Sequence, residues 1–525
     1  MEPTLRSSLR ETSSLERVFR PVDWLFNRVY TSRWNPLYQS GSLAVVFLAV
    51  CAVTGIYLFI FYRVADPYAS VEAIENRWWG GSLMRSLHRY SADLAMAAVF
   101  VHALKMFLAR RTWGPRAMAW VAGVCLLGAL LLCGWTGLVM AWDVQGQVLA
   151  IEGAKLMDLL PIFAAPISRS FLHPGTVPPS FFFMNLFLHV ALPLGLAGLL
   201  WLHLLKVARP RLLPPKEIRN YALGVLLLYA LLFPAPLPPP ADLLAVPVRF
   251  PTDLLFGFWL PLARAVSTPV QLLLWVAAAA AALSIPWWWR PRRRAPEPSV
   301  VEERHCTGCS QCYQDCPYDA ISMVAREVPS RLTDVVARVD PALCISCGIC
   351  SGSCAPMGLG PPQRTGRDQL PVAESFIARH RPGPDDVVVF ACREGLGADP
   401  RLGALPGVLP YETGCSGAVH TSVVELILRR GAGGALMLSC PERDCRNREG
   451  PRWLVERLFH DREAELKERV DKRRVRVASL AATELPAAVA AIEAFRASLG
   501  SLAAQEAEAE VELDLECEVV QVSHG

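Results

Sequence analysis

Six stretches, near 40–62, 83–108, 118–140, 181–206, 219–236 and 267–289, are apolar over about 20 residues. That length crosses a bilayer core of about 30 Å as a helix. No other feature narrows the fold as far. In hydrocarbon every backbone amide must find its partner inside the chain, so a span is a helix or part of a closed barrel. Barrel strands are short and alternate; these runs are long and continuous, and they predict helices. The fifth run is short, and its end at Phe233-Pro234 is soft. The chain of 525 residues is 53% hydrophobic, and its apolar residues concentrate before position 290. The expected fold is therefore multi-domain, an α-helical membrane bundle of about six spans followed by soluble modules. Residues 1–39 are polar and basic without an apolar core, which does not fit a cleavable signal peptide. Residues 21–35 read as an amphipathic helix on the membrane surface, and the connection 141–180 as short surface helices.

Charge predicts the orientation. The connection after the second span carries Lys105, Arg110, Arg111 and Arg116, and that after the fourth carries Lys206, Arg209, Arg211, Lys216 and Arg219. The last span runs into Arg290, Arg292, Arg293 and Arg294. The intervening connections are near neutral. Both termini and everything after residue 290 are thus expected on the cytoplasmic side of a bacterial or archaeal inner membrane. The net charge of +4 says little by itself, and the basic clusters mark the membrane interface; no nucleic-acid partner is expected.

His88 and His102 lie in the second span, fourteen residues apart, and His189 and His203 repeat that spacing in the fourth. Fourteen residues is close to four helical turns, so each pair shares one helix face, about 21 Å apart along the axis. A lone histidine in a span is often a packing residue. Two matched pairs on spans running the same way place His88 opposite His189 and His102 opposite His203, two bis-imidazole sites suited to two b-type haems. Gly41/Gly55 in the first span and Gly123/Gly137 in the third repeat the period. Small residues there let a flat macrocycle approach, and also favour ordinary helix packing. Cys51, Cys125 and Cys133 read as packing residues.

Beyond the spans, cysteine takes over. Residues 306–354 hold Cys306-x2-Cys309-x2-Cys312-x3-Cys316-Pro317 and Cys344-x2-Cys347-x2-Cys350-x3-Cys354. Zinc or disulfides are the bland readings, and a doubled run of four suits neither. Each run resembles a bacterial two-cluster ferredoxin (residues 300–358), in which the fourth cysteine of each run ligates the other cluster. The resemblance implies one [4Fe-4S] cluster on Cys306, Cys309, Cys312 and Cys354 and another on Cys344, Cys347, Cys350 and Cys316. Pro- and Arg-rich residues 291–305 read as a linker before this 306–358 domain, and Gly- and Pro-rich 355–371 as a second.

In residues 371–500 apolar runs at Val387, Val408, Ala435 and Val475 alternate with helical stretches at 419–430, 450–469 and 483–499, the pattern of a parallel α/β sheet. Cys392, Cys415, Cys440 and Cys445 follow the first three strands, at the carboxyl edge where such sheets form sites. Four thiolates there suit a [2Fe-2S] cluster or zinc. His420 reads as a helix-start residue. Residues 506–518, in the acidic tail 501–525, alternate acidic and apolar, as an edge strand or an acidic docking surface.

Two further resemblances follow. Residues 21–290 resemble cytochrome b of the bc-type quinol oxidoreductases, through Asp23-Trp24, Gly41/Gly55, Arg85-x2-His88, His102, Pro115-Arg116, Thr136-Gly137, Trp142-Asp143 and His189-x3-Pro193 with His203. The resemblance implies an outer-side haem on His88/His189, a cytoplasmic-side haem on His102/His203, and Arg85 on a haem propionate. Pro251-Thr252-Asp253-Leu254 stands where that family has Pro-Glu-Trp-Tyr at its quinol-oxidising site. Thr252 cannot accept a proton, which leaves Asp253 as the candidate. Residues 385–460 (Phe390-Ala-Cys392, Gly414-Cys415-Ser416-Gly417, Ser439-Cys440-Pro441-x2-Asp444-Cys445) resemble the delta subunit of methyl-viologen-reducing hydrogenase, which implies one [2Fe-2S] cluster and a flavoprotein partner.

No Gly-rich dinucleotide fingerprint is evident. The expected role is an oxidoreductase subunit, working within a complex, that exchanges electrons between quinone and a soluble flavoprotein, heterodisulfide-reductase-like or NAD(P)H-oxidising. A dimer through the cytochrome b part is a further expectation. The rival expectations are a quinol-bifurcating enzyme using Asp253 and a redox-sensing membrane anchor without turnover.

Overall fold

A computed structural model describes residues 14–161, 165–171, 177–207, 209–245, 253–289, 297–328 and 330–502. The chain divides into two compact units, Gln39–Arg292 and Met1–Tyr38 with Arg293–Gly525.

The first unit is a helical bundle. α2 (Ser40–Phe61) packs along α4 (Gly81–Leu108), and α5 (Ala117–Ala141) along α7 (Pro179–Leu205). α8 (Lys216–Leu232) lies against α4, and α10 (Thr268–Trp288) against α5. α3 (Pro67–Glu75) and α9 (Leu260–Ala265) are short connectors. α8 stops at Leu232, earlier than its apolar run, because Pro234 and Pro236 have no N–H to continue the ladder. Its 17 residues span about 25 Å, less than the bilayer core. At the end of α5, Trp142 turns left-handed (φ 49°) and Asp143 caps α6 (Val144–Met157), accepting the Gly146 N–H at 2.7 Å. The 233–245 connection is strapped to this corner: Val144 N–H donates to the Pro239 carbonyl at 3.0 Å, and Gln147 exchanges hydrogen bonds with Asp242.

Among the described residues six helices are long and apolar enough to cross a membrane. Five belong to this bundle. The other, α16 (Leu485–Leu502), turns Ala488, Ile492 and Phe495 into the core of the second unit, against Val389 and Leu436. Its apolar stripe is used by a sheet.

In the second unit β1 (Val300–Val301) pairs antiparallel with β4 (Leu359–Gly360), and β2 (Ile321–Ala325) with β3 (Val335–Val339). Two one-turn helices, α11 (Gln311–Asp315) and α12 (Ile349–Ser353), carry the third cysteine of each run and end just before the fourth. This is a ferredoxin-like α+β module. A four-stranded parallel sheet follows, ordered β6 (Val408–Thr413), β5 (Val387–Cys392), β7 (Gly434–Ser439), β8 (Val475–Ser479). β5 and β7 are buried on both faces, as their unbroken apolar composition requires. Val388, Phe390 and Met437 meet α13 (Gly366–His380), α14 (Thr421–Arg429) and α15 (Gly450–Phe459) on one side. Val387, Val389 and Leu436 meet α16 on the other.

One connection differs from expectation. The 355–371 stretch is β4 and the start of α13, which begins at a capping box between Thr365 and Asp368 that satisfies its first amides. The N-terminal helix α1 (Ser14–Trp34) buries Asn27 and Ser32, and Asn35 just after it is buried too. Asn27 donates to Thr483 Oγ1 at 2.9 Å, and the Ser32 N–H to Glu484 at 2.8 Å. The polar face of α1 is thus engaged by the sheet domain. The acidic tail, Thr252 and the arginines at 290–294 lie outside the described residues.

Candidate redox centres

In the bundle the glycine and histidine periods interlock. A Cβ on Gly55 would lie 3.1 Å from His88 Cε1, on Gly137 2.8 Å from His189 Cε1, on Gly41 2.9 Å from His102 Nδ1, and on Gly123 3.4 Å from His203 Cε1. The glycines therefore make room for imidazoles of the neighbouring helix. His88 and His189 face each other with ring centroids 6.2 Å apart. That separation admits one metal ion between the two rings at bonds of about 2 Å.

Each of these rings is held by the same device. His88 Nδ1 lies 3.0 Å from the Cys51 carbonyl and 3.2 Å from Thr54 Oγ1. His189 Nδ1 lies 2.9 Å from the Cys133 carbonyl and 3.0 Å from Thr136 Oγ1. A carbonyl only accepts, so Nδ1 carries the proton and Nε2 keeps its lone pair for a metal. Cys51-x2-Thr54-Gly55 and Cys133-x2-Thr136-Gly137 are one motif written twice. The cysteines set aside as packing residues supply the orienting carbonyls, and the repeat was readable beforehand. At the His102/His203 end, Gln39 and Thr112 bury side-chain polar atoms without a hydrogen-bond partner. Such atoms suit the polar edge of a large cofactor.

Arg85 and Asp253 are both engaged by protein. Arg85 pairs with Glu75 at 3.2 Å and donates to the Ala235 and Pro236 carbonyls at 2.6 and 2.8 Å. It ties the proline-rich connection to α4. Asp253 pairs with Arg89 and accepts the Leu255 and Phe256 amides at 2.9 and 2.5 Å. Phe256 in turn fills the space that Gly134 leaves on α5. The carboxylate is buried in a cap and an ion pair.

In the ferredoxin-like module one cavity is lined by Cys306, Cys309, Cys312 and Cys354, with Met323, Ala337 and Leu359. A second is lined by Cys316, Cys344, Cys347 and Cys350, with Ile321, Val339 and Ile349. The structure thus brings the fourth cysteine of each run to the other run. The Ser299 and Ala320 amides donate to Cys344 and Cys316 sulfurs at 3.4 and 3.3 Å. Burial pushes the Cys350 thiol up to about 12 and the Cys354 thiol up to about 11. Such thiols ionise at neutral pH when a metal cation takes the place of the proton, and iron–sulfur clusters supply it.

At the sheet edge Cys392, Cys440 and Cys445 form one buried group, with Cys392 and Cys440 sulfurs 3.4 Å apart. Cys415 joins them through a sulfur contact with Cys392. A Cβ on Gly450, the first residue of α15, would lie 3.2 Å from Cys415 Sγ and 3.6 Å from Cys445 Sγ. The positive end of α15 therefore abuts the sulfurs, which favours anionic thiolates. Among the described residues no group of three or more His, Cys, Asp or Glu side chains forms a ready single-ion cage. His420 caps α14, its Nδ1 accepting the Ser422 N–H at 3.1 Å, while Nε2 faces the Cys354 carbonyl at 3.2 Å. Burial, with Arg457 adding to it, pushes its pKa down to about 4, so the ring is neutral.

Apolar helices with facing histidines, joined to cysteine-lined modules, define a membrane redox protein that carries electrons. Residues 26–210 match cytochrome b/b6/petB, residues 305–356 a 4Fe-4S dicluster domain, and residues 387–503 the delta subunit of methyl-viologen-reducing hydrogenase. The chain is 24% identical over 180 residues to the menaquinol:cytochrome c reductase cytochrome b subunit of Bacillus subtilis (strain 168), covering 33% of this chain and 79% of that one. It is 29% identical over 178 residues to cytochrome b6 of Heliobacterium mobile, covering 33% and 83%. A solved structure of a hyperthermophilic respiratory Complex III aligns at 20% identity and a TM-score of 0.40, over 52% of this chain and 82% of that one. The chain is a fusion that resembles cytochrome b, a dicluster ferredoxin and the hydrogenase delta subunit in turn. Cytochrome b implies haem b, and the dicluster domain implies iron–sulfur clusters.

Proposed function

We propose that this chain is the membrane subunit of a quinone-linked oxidoreductase complex. It exchanges electrons between the quinone pool and a soluble cytoplasmic flavoprotein, heterodisulfide-reductase-like or NAD(P)H-oxidising. His88 and His189 hold one haem b, and His102 and His203 a second. Cys306, Cys309, Cys312 and Cys354 hold one [4Fe-4S] cluster, and Cys316, Cys344, Cys347 and Cys350 another. Cys392, Cys415, Cys440 and Cys445 hold a [2Fe-2S] cluster. The basic connections at 105–116 and 206–219 support a cytoplasmic position for both termini and for the cysteine-rich modules. The cofactors bring the redox chemistry; the protein fixes their spacing, tautomers and surroundings.

The observation that carries this reading is the pair of facing histidines, each locked by the same Cys-x2-Thr-Gly device. A packing histidine has no need of a matched partner ring with its lone pair left open. Purified protein should contain two haems and about ten cluster irons per chain. Those centres should be reduced by a menaquinol analogue and reoxidised by a soluble flavoprotein that co-purifies. A chain with one haem or none, or centres that stay oxidised with both quinol and flavoprotein donors, would sink the proposal.

A further inference from the structure

Arg457, on α15, is 1% exposed and lies between the ferredoxin-like module and the sheet edge. Nη1 donates to Ser353 Oγ at 2.9 Å and stands 3.6 Å from Asp315, while Nη2 donates to the Gly417 carbonyl at 2.5 Å. Asp315 is fully buried, accepts the Ser353 hydroxyl at 2.6 Å and pairs also with Arg462. The position of these partners is informative. Asp315 precedes Cys316, Ser353 precedes Cys354, and Gly417 comes two residues after Cys415. The guanidinium also acts electrostatically on Cys415 and Cys350. Gly352 admits it: a Cβ there would sit 2.6 Å from Nη2.

The charges of this seam do not cancel. Two arginines share one aspartate, which leaves a net positive charge with Arg457 out of water and Arg462 at the partly exposed edge. Such an arrangement is costly unless another negative charge balances it. Arg457 Nε and Arg462 Nε are buried without a hydrogen-bond partner among the described residues, so each guanidinium keeps a donor free for a neighbouring acceptor. Cysteine-ligated iron–sulfur clusters are net anionic. The cysteine sets on either side are the neighbours that can supply the missing charge.

We infer that Arg457 is a positioning and potential-setting residue shared by the Cys316/Cys344/Cys347/Cys350 site and the Cys392/Cys415/Cys440/Cys445 site. It clamps the two modules and raises both reduction potentials by favouring the extra negative charge of each reduced cluster. This inference rests on the proposal that both cysteine sets hold iron–sulfur clusters. Charge and hydrogen bonding near the sulfurs are general levers on such potentials.

The test is an EPR-monitored redox titration of the full-length protein, with iron and sulfide assayed on each sample. Arg457→Met should move the midpoints of both sites to lower potential and leave the haem midpoints in place. Arg457→Lys, which keeps the charge, should restore them toward the parent value. Should Arg457→Met fail to load iron, Arg462→Gln removes charge from the partly exposed edge of the same triad and should shift both midpoints in the same direction. Iron-loaded variants with unmoved midpoints overturn this inference alone. A parent chain without cluster iron overturns it together with the cofactor assignment.

Discussion

A methyl group added to Gly137 would approach His189 Cε1 to 2.8 Å, inside any normal contact distance. The first prediction follows from a gradient among the four glycines. Gly137→Ala and Gly41→Ala should each displace a ring and cost one of the two haems, seen as half the haem absorbance per chain. Gly123→Ala, where the contact is an ordinary 3.4 Å, should keep both.

Thr54 and Thr136 back the orienting carbonyls at 3.2 and 3.0 Å from their histidines. Replacing either by valine leaves the carbonyl hydrogen bond and removes the hydroxyl. Loss of such an outer partner typically weakens metal retention by about 10–100-fold. Thr136→Val should therefore release the haem proposed for His88 and His189 faster on dilution into apomyoglobin, a haem scavenger, and the double variant faster still. Release of the haem proposed for His102 and His203 should not change.

Cys316 follows Cys312 in sequence but lines the cavity of Cys344, Cys347 and Cys350. Cys316→Ser should impair the cluster of that second run and spare the one whose cavity Cys306, Cys309 and Cys312 line with Cys354. Cys354→Ser should do the reverse. Paired with Cys344→Ser or Cys306→Ser, the EPR losses show which cysteines act together.

Asp253 serves as a cap and an ion-pair partner to Arg89. Asparagine keeps the capping oxygen and loses only the charge. Quinol-driven haem reduction should stay within about twofold in Asp253→Asn, because an asparagine oxygen accepts the same Leu255 and Phe256 turn amides. Asp253→Ala loses both roles and should lower thermal stability by about 1–2 kcal/mol. A large loss of quinol oxidation in the asparagine variant would return Asp253 to proton chemistry.

The features that were legible share one property: their spacing is imposed by a local period or a turn. Four histidines at fourteen-residue intervals must share helix faces, and eight cysteines at ferredoxin intervals must gather. The central strands at Val387 and Ala435 showed because buried parallel strands are unbroken apolar runs, and the half-buried edge strands at Val408 and Val475 showed by shorter apolar stretches. What stayed hidden depends on tertiary choice. α13 looked like a linker because Gly366 opens it and Pro371 lies inside it, and a proline within a helix ordinarily breaks or kinks it. The partners of α1, Thr483 and Glu484, lie more than 450 residues further along the chain, and nothing local points to them. Arg457 and Asp315 are far apart in the chain, and nothing local marks either as buried.

His420, Arg448 and Arg457 reach across to Cys354, Pro317 and Ser353, so the ferredoxin-like module is fastened to the sheet within one unit. A free carrier protein meets its partner by collision, and that rate falls on dilution and changes with salt. Here the two cysteine-rich modules keep a fixed separation. Electron traffic between the clusters proposed for them should be first-order and run at the same speed in a dilute detergent extract as in a crowded membrane, whatever the ionic strength.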